Sequence, residues 1–405
     1  MSMSVPTESD TARGARSESS SALCARTPAT CATIVCVVGA RPNFMKAAPV
    51  LQALGTRPHV CARLIHTGQH YDRLMSELFF EELGLVRPLR DLGVGTATPA
   101  EQIGQIMLKL GPVLQQERPD LVMVFGDVTS TVAAALCAAS AGVKVAHVEA
   151  GLRSFDRTMP EELNRVVTDH VADFLFVTEP SGVENLMREG IAADKVFFVG
   201  NVMVDSLLKH VGRAGQLQHW THFGLHPQEY AVVTLHRPSN VDDTEVLTKI
   251  LETLEALSRE TPILFPCHPR TRLRLVPTRF RSLLKEFADD STQMSNRLML
   301  VDPLGYLEFL SVMSEARLVL TDSGGIQEET TVLGIPCLTL RHNTERPITI
   351  SRGTNRLVGT DPEHILAAAR CALKNGHQTG LLPDLWDGNA AERIGRTLDE
   401  CLTKL

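Results

Sequence analysis

Residues 120–154 contain two strand-like segments joined by a helix-like one, and they read DLVMVFGDVTSTVAAALCAASAGVKVAHVEAGLRS. Both strand-like segments, at 120–127 and 143–150, have almost continuously apolar interiors. A strand with apolar side chains on both faces is typical of a parallel sheet that helices cover on both sides. The stretch therefore predicts a parallel strand–helix–strand unit of an α/β fold.

The same alternation of strand-like and helix-like segments runs through most of the chain. It begins with TIVCVVG at 33–39, and after the more polar residues 207–229 it restarts with YAVVTLHRP at 230–238. We therefore predict two doubly wound, Rossmann-like α/β domains that face a central cleft. The predicted segments are a disordered tail at 1–31, an N-terminal domain at 32–205, a C-terminal nucleotide-binding domain at 206–385 and a C-terminal helix at 386–405.

The composition excludes several classes of partner. The 405 residues include 40 Lys or Arg and 47 Asp or Glu, which gives a formal net charge of −7. This balance disfavours general nucleic-acid binding, and no apolar run reaches the ~18 residues that a membrane span needs. The tail carries acidic residues and lacks a compact apolar core, unlike transit and secretory signals. We expect a cytoplasmic enzyme that binds neither nucleic acid nor membranes.

Polar side chains stand where the predicted strands end. Asp127, Glu149, His236 and Ser323 each lie at or near the carboxyl end of a strand-like run. Ligands of open α/β sheets bind at these ends of the strands. The four side chains are therefore expected at the mouth of the cleft, where they can meet a polar ligand.

Two glycine-containing turns have features of an anion site. In GARPNFMK, Arg41 and Lys46 accompany the start of a helix, which attracts anions, although an ordinary turn with solvated cations explains them equally well. In TDSGGIQEE, Gly324 and Gly325 allow backbone amides to approach a diphosphate. The pair of glutamates that follows these glycines can supply a carboxylate for both hydroxyls of a ribose, or can simply favour the positive end of the helix.

Two charged motifs allow both a functional and a structural interpretation. Arg341 and Arg346 in RHNTERP can contact phosphate or form salt bridges with nearby acids. Glu161 and Arg165 in PEELNR are four residues apart on one helix face, where a surface ion pair is the simpler interpretation. No HxxxH or HxH spacing supports a metal site, and no GxGxxG supports a dinucleotide cofactor.

Taken together, these motifs resemble the non-hydrolysing UDP-N-acetylglucosamine 2-epimerases, which share the glycosyltransferase-B fold. The resemblance runs from about residue 33 to the C-terminus. It is carried, in the family's order and spacing, by HVEAGLRS, PEELNR, TLHRPSN, TDSGGIQEE and NTERP. The resemblance implies inversion of C2 between UDP-N-acetylglucosamine and UDP-N-acetylmannosamine, through elimination of UDP and its re-addition.

The resemblance also implies roles for individual residues. The implied catalytic residues are Asp127, Glu149, Glu161 and His236, the last near the diphosphate. The implied substrate-binding residues are Arg41, Lys46, Arg165, Phe309, Ser323, Gly324, Gly325, Glu329 and Arg346, with Arg165 orienting the neighbouring acids. A UDP-sugar substrate, a homodimer, a place in polysaccharide biosynthesis and the absence of any cofactor or metal are implied as well.

Several other functions remain open from the sequence. They are a hydrolysing epimerase that releases N-acetylmannosamine and UDP, an epimerase of a related sugar such as UDP-2,3-diacetamido-glucuronate, a glycosyltransferase and a nucleotide-sugar sensor. Many relatives that their own substrate activates carry two glutamines in the segment matching TGQHYDRL. Here Gln69 is present but Asp72 replaces the second glutamine, so we do not expect obligatory activation by substrate.

Overall fold

The computed structural model describes residues 31–68, 82–85, 87–95, 97–267, 269–275, 280, 297–377 and 382–402. Within these ranges the chain forms two parallel sheets flanked by helices, which confirms the predicted α/β class with two doubly wound domains. The predicted tail, apart from residue 31, lies outside the described residues. Gln69 and Asp72, on which the expectation about activation by substrate rests, lie outside them as well.

The first sheet is built from seven parallel strands. They are β1 (Ala32–Val38), β2 (Val60–His66), β3 (Arg90–Asp91), β4 (Leu121–Phe125), β5 (Lys144–Ala150), β6 (Phe174–Val177) and β7 (Val196–Phe198). Their order across the sheet is β3-β2-β1-β4-β5-β6-β7. Every residue of the central strand β4 is buried, as expected for a strand covered on both faces.

The second sheet has six parallel strands. They are β8 (Ala231–Thr234), β9 (Ile263–Pro266), β10 (Leu298–Val301), β11 (Leu318–Thr321), β12 (Cys337–Thr339) and β13 (Asn355–Leu357). Their order is β10-β9-β8-β11-β12-β13, so β8 and β11 occupy the centre of this sheet. In both sheets the strand order reverses direction beside the first strand, which creates the crevice where ligands of such sheets bind.

Helices cover both sheets. The first group is α1 (Arg41–Gly55), α2 (Pro99–Glu117), α3 (Thr129–Ser140), α4 (Pro160–Val171), α5 (Pro180–Arg188) and α6 (Val202–Leu217). The second group is α7 (Pro238–Val241), α8 (Thr244–Ser258), α9 (Pro269–Leu275), α10 (Tyr306–Ser314), α11 (Gly324–Leu333), α12 (Ile348–Ser351), α13 (Pro362–Asn375) and α14 (Ala390–Leu402). Two short 3₁₀ helices, Ala193–Lys195 and His219–Phe223, precede and follow α6 in the chain.

The last helix, α14, returns to the side of the first sheet and packs against α1 and α6. The carboxylate of Asp205 on α6 accepts hydrogen bonds from the backbone N–H groups of Ala390 at 3.2 Å and Ala391 at 2.7 Å. Just before this helix, the indole N–H of Trp386 donates to the carbonyl of Thr178 at 3.0 Å. The C-terminal segment is therefore part of the packing of the N-terminal domain.

The linker between the sheets is helical at its start. Helix α6 follows the last strand of the first sheet, and residue 205, where we place the domain boundary, lies within that helix. We retain the predicted division of the chain as a proposal. No helix in the described part of the chain combines the length and the apolarity that a membrane crossing requires.

Candidate active site

The carboxyl ends of the two sheets face each other across a cleft. Arg346, which follows β12 of the second sheet, donates from Nη2 to Oε1 of Glu149 near the end of β5 at 3.0 Å. Arg237, which follows β8, donates from Nη1 to Oε1 of Glu161 on α4 at 2.7 Å. The charged residues identified at strand ends in the sequence therefore meet between the domains, as the sheet topology predicts.

Glu149 has an unusual backbone conformation that directs its side chain into this cleft. Its φ of 75° lies in the left-handed region, which costs a residue other than glycine roughly 1–3 kcal/mol. The register between β5 and β6 shifts around this residue, and such a bulge re-aims a side chain. The buried carboxylate lies 2.7 Å from Nζ of Lys46 and accepts the bond from Arg346. These two ion pairs offset the strain.

A second group of charges fixes the backbone on both sides of Glu149. Oδ1 of Asp169 lies 2.6 Å from Nδ1 of His147, whose Nε2 lies 2.8 Å from the carbonyl oxygen of Gly126. Oδ2 of Asp169 accepts from the N–H of Gly151 at 3.1 Å and lies 2.7 Å from Nη1 of Arg153. Burial opposes ionisation of Asp169, but the bonds to His147 and Arg153 lower its pKa below the usual value. Asp169 therefore stays charged and anchors the turn.

Arg165 contacts different acids from those that the sequence suggested. It forms ion pairs with Asp127 and, at 3.2 Å, with Oε2 of Glu162, and its side chain is buried. The prediction of a surface ion pair between Glu161 and Arg165 is therefore wrong, and Glu161 pairs with Arg237 instead. Burial raises the pKa of Asp127, but the nearby positive charges, Arg165 first, lower it to about 2. Asp127 is consequently ionised at neutral pH.

Arg346 lies at the centre of the network and joins three carboxylates. Besides Glu149, it donates from Nε to Oε1 of Glu328 at 2.7 Å and from Nη1 to Oε1 of Glu345 at 2.6 Å. Burial raises the pKa of Glu328 despite the charge of Arg346. In Glu345 burial is outweighed by Arg346, Arg165 and Arg341, which lower its pKa. The pKa values of these two neighbouring acids are thus shifted in opposite directions, upward for Glu328 and downward for Glu345.

His236 presents its ring at the open part of the cleft. Its Nδ1 lies 2.9 Å from Oδ1 of Asp322, and its side chain is 44% exposed, which leaves it accessible to a ligand. Asp322 is fully buried and also accepts the backbone N–H groups of His236 at 3.1 Å and Arg237 at 2.9 Å. Burial raises the pKa of Asp322, but the bonds from His236 and Arg237 lower it overall. Asp322 thereby orients both His236 and Arg237.

The two glycines at the start of α11 have different surroundings. A Cβ atom on Gly324 would lie 2.5 Å from Nη1 of Arg346 and 2.6 Å from Oε1 of Glu345. A Cβ atom on Gly325 would meet nothing closer than Cε of Met203 at 3.8 Å. The first glycine is therefore required by a buried ion pair of the protein itself, whereas the second leaves the helix N-terminus open to a ligand.

The remaining predicted residues lie around this network. Arg41 begins α1, but its side chain lies outside the described part of the structure. Ser323 is the half-buried residue just before α11, and Glu329 is buried on that helix. Phe309 on α10 is half-buried and packs against the main hydrophobic core. In the described ranges, no group of three or more His, Cys, Asp and Glu side chains is placed to hold a metal ion.

Sequence reasoning assigned no role to several residues of the network. They are Arg153, Glu162, Asp169, Arg237, Asp322 and Glu345. Arg237, Asp322 and Glu345 stand directly beside His236, Ser323 and Arg346, so their places at strand ends were a usable signal. Asp169 gave no comparable signal because it lies near the end of α4 and reaches β5 only through the packing of the helix.

Comparison with known proteins gives consistent matches over nearly the whole chain. A family model described as UDP-N-acetylglucosamine 2-epimerase matches residues 52–399. The UDP-N-acetylglucosamine 2-epimerase of Methanococcus maripaludis is 40% identical over 365 residues, which is 88% of this chain and 96% of that protein. The UDP-2,3-diacetamido-2,3-dideoxy-D-glucuronate 2-epimerase of Pseudomonas aeruginosa is 38% identical over 370 residues, or 90% of this chain and 99% of that protein.

A solved structure agrees with the fold described above. The crystal structure of Methanocaldococcus jannaschii UDP-GlcNAc 2-epimerase in complex with UDP-GlcNAc and UDP matches with a TM-score of 0.82 and 40% sequence identity. The match covers 91% of this chain and 99% of that chain. The predicted two-domain, glycosyltransferase-B-like architecture is thereby confirmed.

Proposed function

The chain belongs to the UDP-N-acetylglucosamine 2-epimerase family, and on that premise we propose that it interconverts UDP-N-acetylglucosamine and UDP-N-acetylmannosamine by inverting C2. The observation that carries the proposal is the meeting of three carboxylates, Asp127, Glu149 and Glu161, at the cleft. Each of them is held by an arginine, and two of these arginines come from the opposite domain. A cleft that only binds a nucleotide sugar has no need of three positioned acids.

The chemistry explains the need for several carboxylates. The proton on C2 has no adjacent carbonyl, so it becomes acidic only as the C1–O bond to UDP breaks. A base removes this proton, the C–H electron pair forms the C1=C2 double bond, and UDP departs with the electrons of the C1–O bond. Re-addition of UDP to C1, with a proton delivered to C2 on the other face of the ring, completes the inversion. Acids and bases in distinct environments suit these two proton transfers.

The exposure of the three carboxylates differs, and it suggests how they share the work. The side chain of Glu161 is 31% exposed, that of Asp127 17% and that of Glu149 1%. Glu161 is therefore the carboxylate most accessible to a sugar that enters the cleft. We propose that all three handle or position protons, and that Glu149 reaches the sugar when its bonds to Lys46 and Arg346 rearrange.

We propose that the nucleotide binds at the start of α11. The diphosphate would be held by Ser323, Gly325 and the open helix N-terminus. Glu329 would accept hydrogen bonds from the ribose hydroxyls. His236 is exposed on the same side and would stabilise the departing UDP. The other proposed nucleotide-binding residues are Arg41, Lys46, Phe309, Gly324 and Arg346. Of these, Arg346 already has three carboxylate partners, so we propose that it acts between the nucleotide and the proton-handling acids.

Incubation of the purified protein with UDP-N-acetylglucosamine in D2O tests the proposal, with the sugar followed by NMR. We expect deuterium at C2 and accumulation of UDP-N-acetylmannosamine, with no metal or nicotinamide nucleotide added. Free N-acetylmannosamine and UDP would instead indicate the hydrolysing reaction. Absence of deuterium at C2 would refute the proposed function.

The same assay on Glu161→Gln tests the role of the most accessible acid. The amide keeps the shape and a hydrogen bond but cannot transfer a proton, so C2 exchange is expected to fall by ~10²–10⁴. UDP affinity, measured by calorimetry, should change little because the nucleotide is proposed to be held mainly from the other domain. Glu184→Gln is the matched control, since the ion pair of Glu184 with Arg188 on α5 is exposed. Normal exchange in folded Glu161→Gln would exclude Glu161 from proton transfer.

A second substrate remains a specific alternative. The Pseudomonas aeruginosa relative, named for UDP-2,3-diacetamido-2,3-dideoxy-D-glucuronate, covers as much of the chain as the UDP-N-acetylglucosamine enzymes do. Its sugar carries the same 2-acetamido group beside C1 and can undergo the same elimination. A comparison of kcat/KM for the two UDP-sugars decides between them. A clear preference for the diacetamido sugar would replace the main proposal with the alternative.

We also propose that the enzyme is a cytoplasmic homodimer that supplies precursors for polysaccharide biosynthesis. The support for this assembly and role is the family resemblance. Analytical ultracentrifugation should give about twice the 44.3 kDa of one chain. A monomer at the concentrations used for the activity assay would contradict the homodimer.

A further inference from the structure

One oxygen atom of Glu345 is shared by three arginines. Its Oε1 lies 2.6 Å from Nη1 of Arg346, 3.9 Å from Nη2 of Arg165 and 3.9 Å from Nη2 of Arg237. Arg165 comes from α4 of the first domain, whereas Arg237, Arg346 and Glu345 come from the second. Glu345 therefore lies where charged groups of both domains meet.

Each of these arginines contacts a different acid of the proposed reaction. The three pairs are Arg165 with Asp127, Arg237 with Glu161, and Arg346 with Glu149. The nearest N···O separations in the last two pairs are 2.7 Å and 3.0 Å. The three arginines thus link one buried carboxylate to all three proposed proton-handling carboxylates.

Burial and charge make Glu345 important for this arrangement. Its side chain is 1% exposed, and its second oxygen, Oε2, accepts from Nη2 of a fourth arginine, Arg341, at 2.9 Å. Guanidinium groups this close repel one another strongly in a buried setting unless a negative charge lies between them. Burial raises the pKa of Glu345, but Arg346, Arg165 and Arg341 lower it overall, so the charge is present at neutral pH.

Glu345 also packs against the start of α11, where the nucleotide is proposed to bind. Its Oε1 lies so close to Gly324 that no Cβ atom fits there. Glu345 is thus buried between its arginine partners and the start of α11. We therefore expect Glu345 to affect the reaction through these arginines.

We propose that Glu345 is a positioning residue that holds Arg165, Arg237 and Arg346 so that Asp127, Glu161 and Glu149 are oriented together around the sugar. The inference rests on the proposed epimerase function and adds to it a residue that does not touch the substrate. The positions of all three acids then depend on Glu345, because this one carboxylate holds the arginines that contact them.

Glu345→Gln tests the inference, since the amide keeps the volume and removes the charge. We expect kcat for C2 exchange to fall roughly 10- to 100-fold, the size of effect that misplaced reacting groups produce. UDP affinity and KM should change less than kcat, because Arg346 and Gly324 next to Glu345 are two of several residues proposed to hold the nucleotide. The pH profile of kcat should shift to lower pH, since removal of a nearby negative charge favours ionised neighbours.

Two further variants make the result interpretable. Glu345→Asp keeps the charge on a shorter side chain and should restore part of kcat and the normal pH profile. Asp205→Asn removes another buried carboxylate, the one that accepts from the start of α14, and should leave kcat of the folded enzyme unchanged. Thermal unfolding of each variant identifies the folded fraction for which kcat is calculated.

The outcomes separate the inference from the proposed function. Active wild-type enzyme with unchanged kcat and pH profile in folded Glu345→Gln would overturn the inference alone. A loss of kcat that Glu345→Asp does not relieve at all would also overturn it, because the charge would then not be the cause. Wild-type protein without C2 exchange would refute the proposed function and this inference with it.

Discussion

Glu179 is a buried acid beside the cleft that has no place in the proposed reaction. It follows β6 and is 1% exposed, and one carboxylate oxygen accepts from the hydroxyl of Ser181. Burial raises its pKa from 4.5 to about 7. This value of about 7 already includes the bond from Ser181 and the charge of Arg346, which lower the pKa, and the charge of Glu328, which raises it. In the folded protein the protonated form is therefore favoured below about pH 7.

This raised pKa predicts a pH-dependent stability. Between pH 4.5 and about 7, the folded state binds the proton of Glu179 more tightly than the unfolded state does. The free energy of unfolding should consequently fall as pH rises through this window, by up to roughly 3 kcal/mol, and stay lower above it. Glu179→Gln has no proton to lose and should lack this part of the pH dependence.

Urea unfolding of the wild-type protein and of Glu179→Gln, at about pH 5 and about pH 8, measures the difference. We expect the variant to gain stability relative to the wild type as pH rises. Since Glu328 is common to both proteins, its own titration largely cancels in the comparison. A difference between the two proteins that does not depend on pH would contradict the prediction.

At the level of elements, the start of α11 offers a matched pair of substitutions. Gly324→Ala places a methyl group within 2.6 Å of Nη1 of Arg346 and Oε1 of Glu345, which are hydrogen-bonded to each other, so this buried ion pair has to move. Such overpacking typically costs ~1–3 kcal/mol. Gly325→Ala meets nothing nearer than 3.8 Å and replaces a poor helix former with a better one, so its stability should be unchanged or slightly higher.

Thermal unfolding distinguishes these two variants. Gly324→Ala should melt several degrees lower than the wild type, whereas Gly325→Ala should melt at or above it. Both substitutions occur at the same helix start, so a general sensitivity of that turn would lower both melting temperatures. Equal destabilisation by the two alanines would show that the Glu345–Arg346 pair is not what requires Gly324.

The elements could be predicted from sequence because their signals are local. Apolar runs such as β4 identified the strands, and the sheet rule placed Asp127, Glu149 and His236 at one edge. The partner of each charge could not be predicted in the same way. Glu161 and Arg165 share a helix face, yet Glu161 pairs with Arg237 of the other domain. That choice depends on how two domains pack, which no spacing along the chain encodes.

The left-handed backbone at Glu149 was equally invisible in the sequence. Nothing in HVEAGLRS indicates a positive φ at a glutamate, because glutamate rarely adopts this conformation. The conformation is sustained by tertiary contacts, namely the ion pairs of its own side chain and the bonds from Asp169 to the adjoining turn. Strain of this kind is concentrated at functional sites.

On the scale of the whole molecule, contacts across the cleft join the two domains. The amide of Asn343 donates to Asp156 at 3.3 Å, Arg237 pairs with Glu161, and Arg346 forms a buried pair with Glu149. All of them join the second domain to β5 or to the segments that follow it. A ligand that holds the second domain should therefore also steady the first.

UDP should accordingly slow hydrogen exchange on both sides of the cleft. We expect protection at residues 323–329, where the nucleotide is proposed to bind, and also at residues 39–46, which include Lys46 next to Glu149. Residues 362–375, on a helix of the second domain, serve as an internal control for general stabilisation. Protection confined to the second domain would show that UDP alone does not close the cleft.

Helix α14 determines the order in which the protein can be completed during synthesis. The residues that it packs against emerge from the ribosome early, since Asp205 precedes Ala390 by 185 residues and Arg57 precedes Glu392 by 335. Domains usually fold as they emerge, the first one first. Here the N-terminal domain can form its sheet early but must keep one helix-binding face uncovered while the entire second domain is translated. The domain that is made first is therefore the last to be finished.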